Sequence, residues 1–254
     1  MVRLYKKSLK GIHLIAALSL IFSACKKDST LDRQPSVTYG KAVALFGGKA
    51  QSFVLKDAAG VPQTIGFSFS EEALNNLPAT NSMVTIPAPE NNGTLVDHMS
   101  VDFNAKGHEP PGVYDVPHFD LHFYMIPEME QMGIKPGAEM EVLPPGEYIP
   151  QDFISFPSGD PMMGKHWGDA TSKEFNGQAF DRTFIYGSYN GKFIFHEAMV
   201  TLAYFRSKLS FTDIVKQQKK VQRDGYYPQT YSVTYDAKNK IYTVTLNQLT
   251  LKHI

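Results

Sequence analysis

Residues 118–125, HFDLHFYM, alternate without a break: Phe119, Leu121, Phe123 and Met125 are apolar, while His118, Asp120, His122 and Tyr124 are polar or titratable. Period two puts each set on one face of a β-strand, whereas a helix would spread the same apolar residues around its circumference. The segment therefore reads as a strand with one face in a core. The other face carries three titratable groups and a tyrosine, where Lys, Thr and Ser would serve a solvated face equally well. It is expected to line a polar cavity.

Strand geometry limits what this row can chelate. Residues two apart lie roughly 6.6 Å apart and residues four apart roughly 13 Å, against metal–nitrogen bonds of about 2.0–2.1 Å. His118 and His122 share one ion only across a bulge or a strong twist. Asp120 with His122, or His118 with Asp120, is the easier pair. Without a metal, Asp120 accepts hydrogen bonds from one or both histidines and fixes their tautomers.

The same alternation, punctuated by turn residues, recurs along the chain and predicts an antiparallel β protein. The clearest hairpin is RTFIYGSY-NG-KFIFHEAMV, because Asn190-Gly191 suits a two-residue turn with positive φ at both positions. TYSVTYD-AKN-KIYTVTL predicts another at the end of the chain. Helix is expected only at SEEALNNLP, with Ser70 as N-cap, and as an amphipathic helix over FTDIVKQQKKVQR. The fold class expected is mainly β, a single antiparallel β-sandwich or barrel-like domain over residues 38–254 with one or two short helices.

Continuing the hairpin register from Tyr189 opposite Lys192 puts Tyr186 opposite Phe195 and Phe184 opposite Glu197. Opposite residues share a face, so Glu197 is expected among Phe184, Tyr186, Phe193, Phe195 and Met199. A carboxylate there needs a partner, a proton or a metal. A salt bridge at the sheet rim is its plainer alternative. GKHWGD offers His166 beside Trp167, the only tryptophan, and GHEPPG offers His108 and Glu109 next to rigid prolines. The expected metal ligands are His118, Asp120, His122, His166 and Glu197, with Asp120 and Glu197 as candidate catalytic bases. His108, Glu109, Tyr124 and Trp167 are expected around the cavity, and His98 in packing or hydrogen bonding.

The first 24 residues read as a leader. Arg3, Lys6, Lys7 and Lys10 precede the apolar run LIAALSLIF, too short for a spanning helix, and Ser23 and Ala24 precede Cys25. This is the pattern of a bacterial lipoprotein signal, with Cys25 lipidated and residues 25–37 as a flexible tether. Lys26 after the cysteine points to the outer membrane, and the lipid anchor is the expected membrane link. Cys25 is the only cysteine, so the domain has neither a disulfide nor a thiolate ligand. Imidazole and carboxylate donors suit zinc, manganese or iron. Removing the leader leaves 21 basic against 25 acidic residues, and with no basic cluster nucleic acid is not an expected partner. Phosphate-cradling loops, HExxH and G-x-S-x-G are absent from the sequence.

YGKAVALFGGKAQSFVLKDAAGVPQTIGFSFSEEALNNLP, DFNAKGHEPPGVYDVPHFDLHFY, GKHWGD and IYGSYNGKFIFHEAMVT, in this order, resemble a bacterial family of secreted proteins and lipoproteins catalogued as a domain of unknown function. The resemblance covers nearly all of residues 38–254, and PHFDLHFY is its most specific motif. Glu197-Ala198-Met199 stands where that family usually has Glu-Pro-Met, which keeps the carboxylate. The family brings no reaction with it. Three histidines and a glutamate on a β scaffold are similar to the cupin ligand set by analogy, without the cupin motif spacing. Two readings follow. One is an envelope protein with a divalent metal in a polar cavity and an unidentified small ligand, the metal acting as Lewis acid or activating water if the protein is an enzyme. The other is a non-catalytic binding or structural module, self-associating through exposed tyrosines such as Tyr226, Tyr227 and Tyr231, with the His/Asp row as a hydrogen-bond network.

Overall fold

Alternating apolar residues need a second apolar surface to cover them, and two antiparallel sheets provide it for each other. A computed structural model describes residues 34–254, and the leader and Cys25 lie outside the described residues. In chain order the strands are β1 (Ser36–Tyr39), β2 (Val43–Leu45), β3 (Gly48–Lys56), β4 (Pro62–Ser70), β5 (Ser82–Pro87), β6 (His98–Asn104), β7 (His118–Tyr124) and β8 (Phe153–Asp160). They continue with β9 (Gly164–Asp169), β10 (Arg182–Tyr189), β11 (Lys192–Thr201), β12 (Phe211–Ile214), β13 (Gly225–Tyr227), β14 (Thr230–Asp236), β15 (Ile241–Asn247) and β16 (Thr250–Lys252).

One sheet runs β1-β3-β4-β15-β14-β12, with β2 on β3; the other runs β5-β6-β7-β11-β10-β9-β8. β13 and β16 form a separate pair. The β4 and β15 residues Ile65, Phe67, Phe69 and Val244 pack with Phe119, Leu121, Phe123 and Val200 in one core, where Phe67 and Phe123 lie 6.1 Å apart. This is the expected antiparallel packing in the open form of a sandwich, since neither sheet closes on itself as a barrel would. The odd face of the HFDLHFYM strand enters this core as its alternation predicts. Among the described residues no helix is long and apolar enough to cross a membrane.

The helical expectations need correction. FTDIVKQQKKVQR is not a helix. Phe211–Ile214 pair with β14 as β12, and Ile214 is 81 % exposed while Val215 is 1 % exposed, the alternation of an extended chain. The β-branched Thr212, Ile214 and Val215 favour that state. SEEALNNLP forms only a 3₁₀ turn at Glu71–Leu74, and the Ser70 hydroxyl accepts from the Lys49 N–H instead of capping it. Among the described residues the α-helices are three short ones elsewhere: α1 (Glu128–Gly133), α2 (Ala138–Glu141) and α3 (Leu202–Ser207), the last capped by the Thr201 hydroxyl accepting from the Tyr204 N–H at 3.1 Å.

The β10–β11 turn has positive φ at Asn190 and Gly191, as expected. The register beyond it is different. Ser188 pairs with Phe193 but Gly187 pairs with Phe195, so Ile194 is the extra residue of a β-bulge. Glu197 therefore stands opposite Ile185, not Phe184. It shares its face with Phe195 and Met199, while Phe184, Tyr186 and Phe193 turn to the sandwich core. The tyrosine expectation also fails in part, since Tyr227 and Tyr231 are buried and Tyr226 is half-buried. Tyr231 packs against Phe184 and Phe211.

Candidate metal centre

The bulge decides what faces the outer side of the second sheet. Cross-strand pairing sets Asn104, His118 and Thr201 in one row and Asp102, Asp120 and Met199 in the next. Ser100, His122, Glu197 and Ile185 follow, and then His98, Tyr124, Phe195, Gly187 and His166. An antiparallel sheet commonly leaves such a polar face to solvent. Here β6 and β7 are buried throughout, because chain segments cover the outer face as well. Ile126, Ile134 and Met140 pack on Tyr124 and Phe195 at one end, and Tyr114 and Phe180 pack on Ile185 and Met199 at the other. Between these apolar caps a cleft of about 560 Å³ reaches the polar rows, touching Asp102, Asn104, His108, Asp120, Asp160 and His166.

The polar side chains form two groups, each with two imidazoles and one carboxylate. In the deeper group, His122 Nε2 lies 3.3 Å and His166 Nε2 lies 3.7 Å from the same Glu197 Oε2. The other nitrogen of each ring meets a second carboxylate, His122 Nδ1 at 3.0 Å from Asp102 Oδ2 and His166 Nδ1 at 3.3 Å from Asp160 Oδ2. Glu197 is 1 % exposed, and among the described residues neither its Oε2 nor His122 Nε2 has a hydrogen-bond partner. The Phe195 ring wedges the pair edge-on, with centroids 4.8 Å from His122 and 5.4 Å from His166.

In the second group, His108 Nε2 and His118 Nε2 lie 3.3 and 3.1 Å from the two oxygens of Asp120. The His118 Nδ1–H donates to the Val116 carbonyl at 2.7 Å, and the His108 Nδ1–H to the Glu109 carbonyl at 2.6 Å. Asn104 Nδ2 donates to Asp120 Oδ2 at 2.6 Å.

Electrostatics follow from burial opposed by these contacts. Burial works against charge on Asp120, yet His108 and His118 beside it hold its carboxyl well below the usual range. Burial likewise opposes charge on His108, and Asp120 outweighs it, lifting the imidazole to about 9. Burial pushes the Asp102 carboxyl up, and the charge of His122 offsets this only in part. His166 holds the Asp160 carboxyl down against its partial burial.

The residues read from the sequence are thus divided. Glu197, His122 and His166 converge, His118 and Asp120 join His108, and Asp120 is not the partner of His122. Strand spacing did separate His118 from His122. Trp167 does not reach the cleft: it lies in the sandwich core, with Nε1 donating to Ser188 Oγ at 2.8 Å. Tyr124 stacks between His98 and His122 at one end of the row. Glu109 is exposed at the cleft mouth and holds His108 through its carbonyl, not its carboxylate. His98 is a hydrogen-bonding residue as expected, with Nε2 2.7 Å from Gln131 Oε1. Asp102, Asn104 and Asp160 were missed. The first two had a signal, because HMSVDFN alternates polar and apolar residues just as HFDLHFYM does.

Chemically, the buried His/Asp/Glu groups are of the kind that can hold a metal ion or form a hydrogen-bond network. Residues 57–103 match the family model described as TTHB210-like, hypothetical protein TTHB210. That stretch runs from the turn after β3 to Phe103 on β6, and so includes Asp102 but neither imidazole group. No curated protein and no solved structure matches the chain.

Proposed function

We propose that this chain is a cell-envelope lipoprotein that binds a divalent cation through His122, His166 and Glu197, of which His166 lines the cleft. The observation that carries this reading is the aim of the two rings. Both Nε2 atoms approach one carboxylate oxygen, at 3.3 and 3.7 Å, while both Nδ1 atoms are held by outer carboxylates. Ligands sharing a tetrahedral ion at about 2.0–2.1 Å sit roughly 3.3 Å apart, and His122 Nε2 stands at that distance from Glu197 Oε2. A carboxylate on the far nitrogen is the usual support of a metal-bound imidazole.

Two nitrogens and an oxygen suit zinc, manganese or iron. Such an ion supplies Lewis acidity or an activated water. In this role Glu197 is a ligand, and Asp102, which lines the cleft and touches His122, is the carboxylate placed to accept a proton. The envelope location rests on the leader and Cys25, and on the resemblance to secreted proteins and lipoproteins. Metal analysis of protein purified without nickel tests the central claim. Stoichiometric zinc, manganese or iron is expected in the wild type, with its loss in His122→Ala. A metal-free wild type whose only response to His122→Ala is a lower melting temperature would favour the hydrogen-bond network instead.

A further inference from the structure

The second group deserves its own occupant, on grounds separate from the first. Backbone carbonyls can only accept, so the contacts to Val116 and Glu109 fix the protons of His118 and His108 on Nδ1. Each Nε2 is thereby left facing the Asp120 carboxylate, and the three atoms lie close enough to share one ion. Asp120 is 5 % exposed, its Oδ1 has no hydrogen-bond partner among the described residues, and Asp102 stands directly opposite it across β6 and β7. Separations of 3.1 and 3.3 Å again match ligands of one ion at about 2.0–2.1 Å.

The two groups differ in access. His122 and Glu197 are closed off, with side chains 0 % and 1 % exposed, while the His108 side chain is 35 % exposed at the cleft mouth. A metal position that takes up a ligand keeps one side open. The same cleft is also lined by Phe156, Pro157, Pro161, Met162 and Met163, an apolar surface.

We propose that His108, His118 and Asp120 hold a second divalent ion, open to the cleft, which receives the oxyanion of a small ligand whose apolar body lies against the Phe156–Met163 wall. This rests on the metal reading given above and adds to it the ion that receives the ligand.

Cobalt(II) titration of the full chain, followed by its visible d–d absorption, tests it. Two equivalents are expected to bind the wild type, one to His118→Ala and one to His108→Ala. His108 lies on an exposed loop, so the second variant keeps the test open if the first does not fold. Phenylacetate and acetate are expected to shift the wild-type spectrum but not that of His108→Ala, with phenylacetate effective at about tenfold lower concentration. One equivalent in the wild type, unchanged in both variants, overturns the second ion and leaves the deeper centre standing. No bound cobalt overturns both. Two equivalents retained by both variants, or a spectrum indifferent to either carboxylate, also overturns the proposal.

Discussion

Gly187 and Phe195 face each other across β10 and β11, and the Phe195 ring fills the space a side chain at 187 would take: a Cβ there would stand 1.9 Å from ring atom Cζ. The ring is thereby laid between His122 and His166. Gly187→Ala is expected to push it off both imidazoles, destabilising the protein by about 1–3 kcal/mol, the usual range for overpacking, and lowering metal content. Urea denaturation and metal analysis read the two effects. Adding Phe195→Leu, which shortens the obstructing side chain, should recover part of the stability. A fully stable, metal-replete Gly187→Ala protein would mean that the ring does not position the histidines.

Chelation should separate the ion's contribution from that of the carboxylate. With free metal at about one hundred times its dissociation constant, removing it should cost roughly 2.7 kcal/mol of wild-type stability. Glu197→Gln should respond to chelator less than the wild type does, keeping only the outer ion's share. The metal-free wild type should also be less stable than Glu197→Gln, because it keeps a buried carboxylate without its cation. Melting curves with and without chelator check both statements.

On the sandwich side of the same strand, His196 predicts an acid effect of its own. Burial first, and the charge of Lys252 second, lower its imidazole to about 3, against about 6.5 in an unfolded chain. Between these values the unfolded state binds the extra proton, so stability rises with pH across the window. The slope is about 1.4 kcal/mol per pH unit at most. His196 packs among Phe184, Tyr186 and Tyr227, so His196→Phe should flatten the dependence between pH 6 and pH 4. An unchanged slope would place the acid sensitivity elsewhere.

Lipidation of Cys25 is tested by detergent-phase partitioning. The full chain expressed in a diderm bacterium is expected in the detergent phase and the Cys25→Ala protein in the aqueous phase. Equal partitioning of the two would remove the anchor from the proposal.

Much of the sheet was legible because period two is a local signal. HFDLHFYM announces its two faces without any tertiary information, and Asn190-Gly191 fixes its turn through φ alone. The Ile194 bulge was not legible, since nothing in KFIFHE tells where an extra residue enters the ladder. That single shift moved Phe184 and Tyr186 off the face of Glu197. The grouping of ligands was hidden for a similar reason. Which histidine meets which carboxylate depends on the neighbours β6 and β9 and on the loop carrying His108, none of which is adjacent to Glu197 in sequence. Asp102 could have been found by reading HMSVDFN with the same alternation, whereas Asp160 had no comparable pattern.

The two ligand groups are mounted differently, and this sets how fast each can let go. His122, His166 and Glu197 all stand on paired strands, β7, β9 and β11, so releasing an ion held there requires strands of the second sheet to separate. Its exchange with labelled metal is then as slow as unfolding, and should quicken with denaturant in step with the unfolding rate. An ion held by His108 can leave when one loop swings away while the sheet stays closed. Isotope exchange at the two positions would proceed on two clocks, one set by the loop between β6 and β7 and the other by the lifetime of the folded chain.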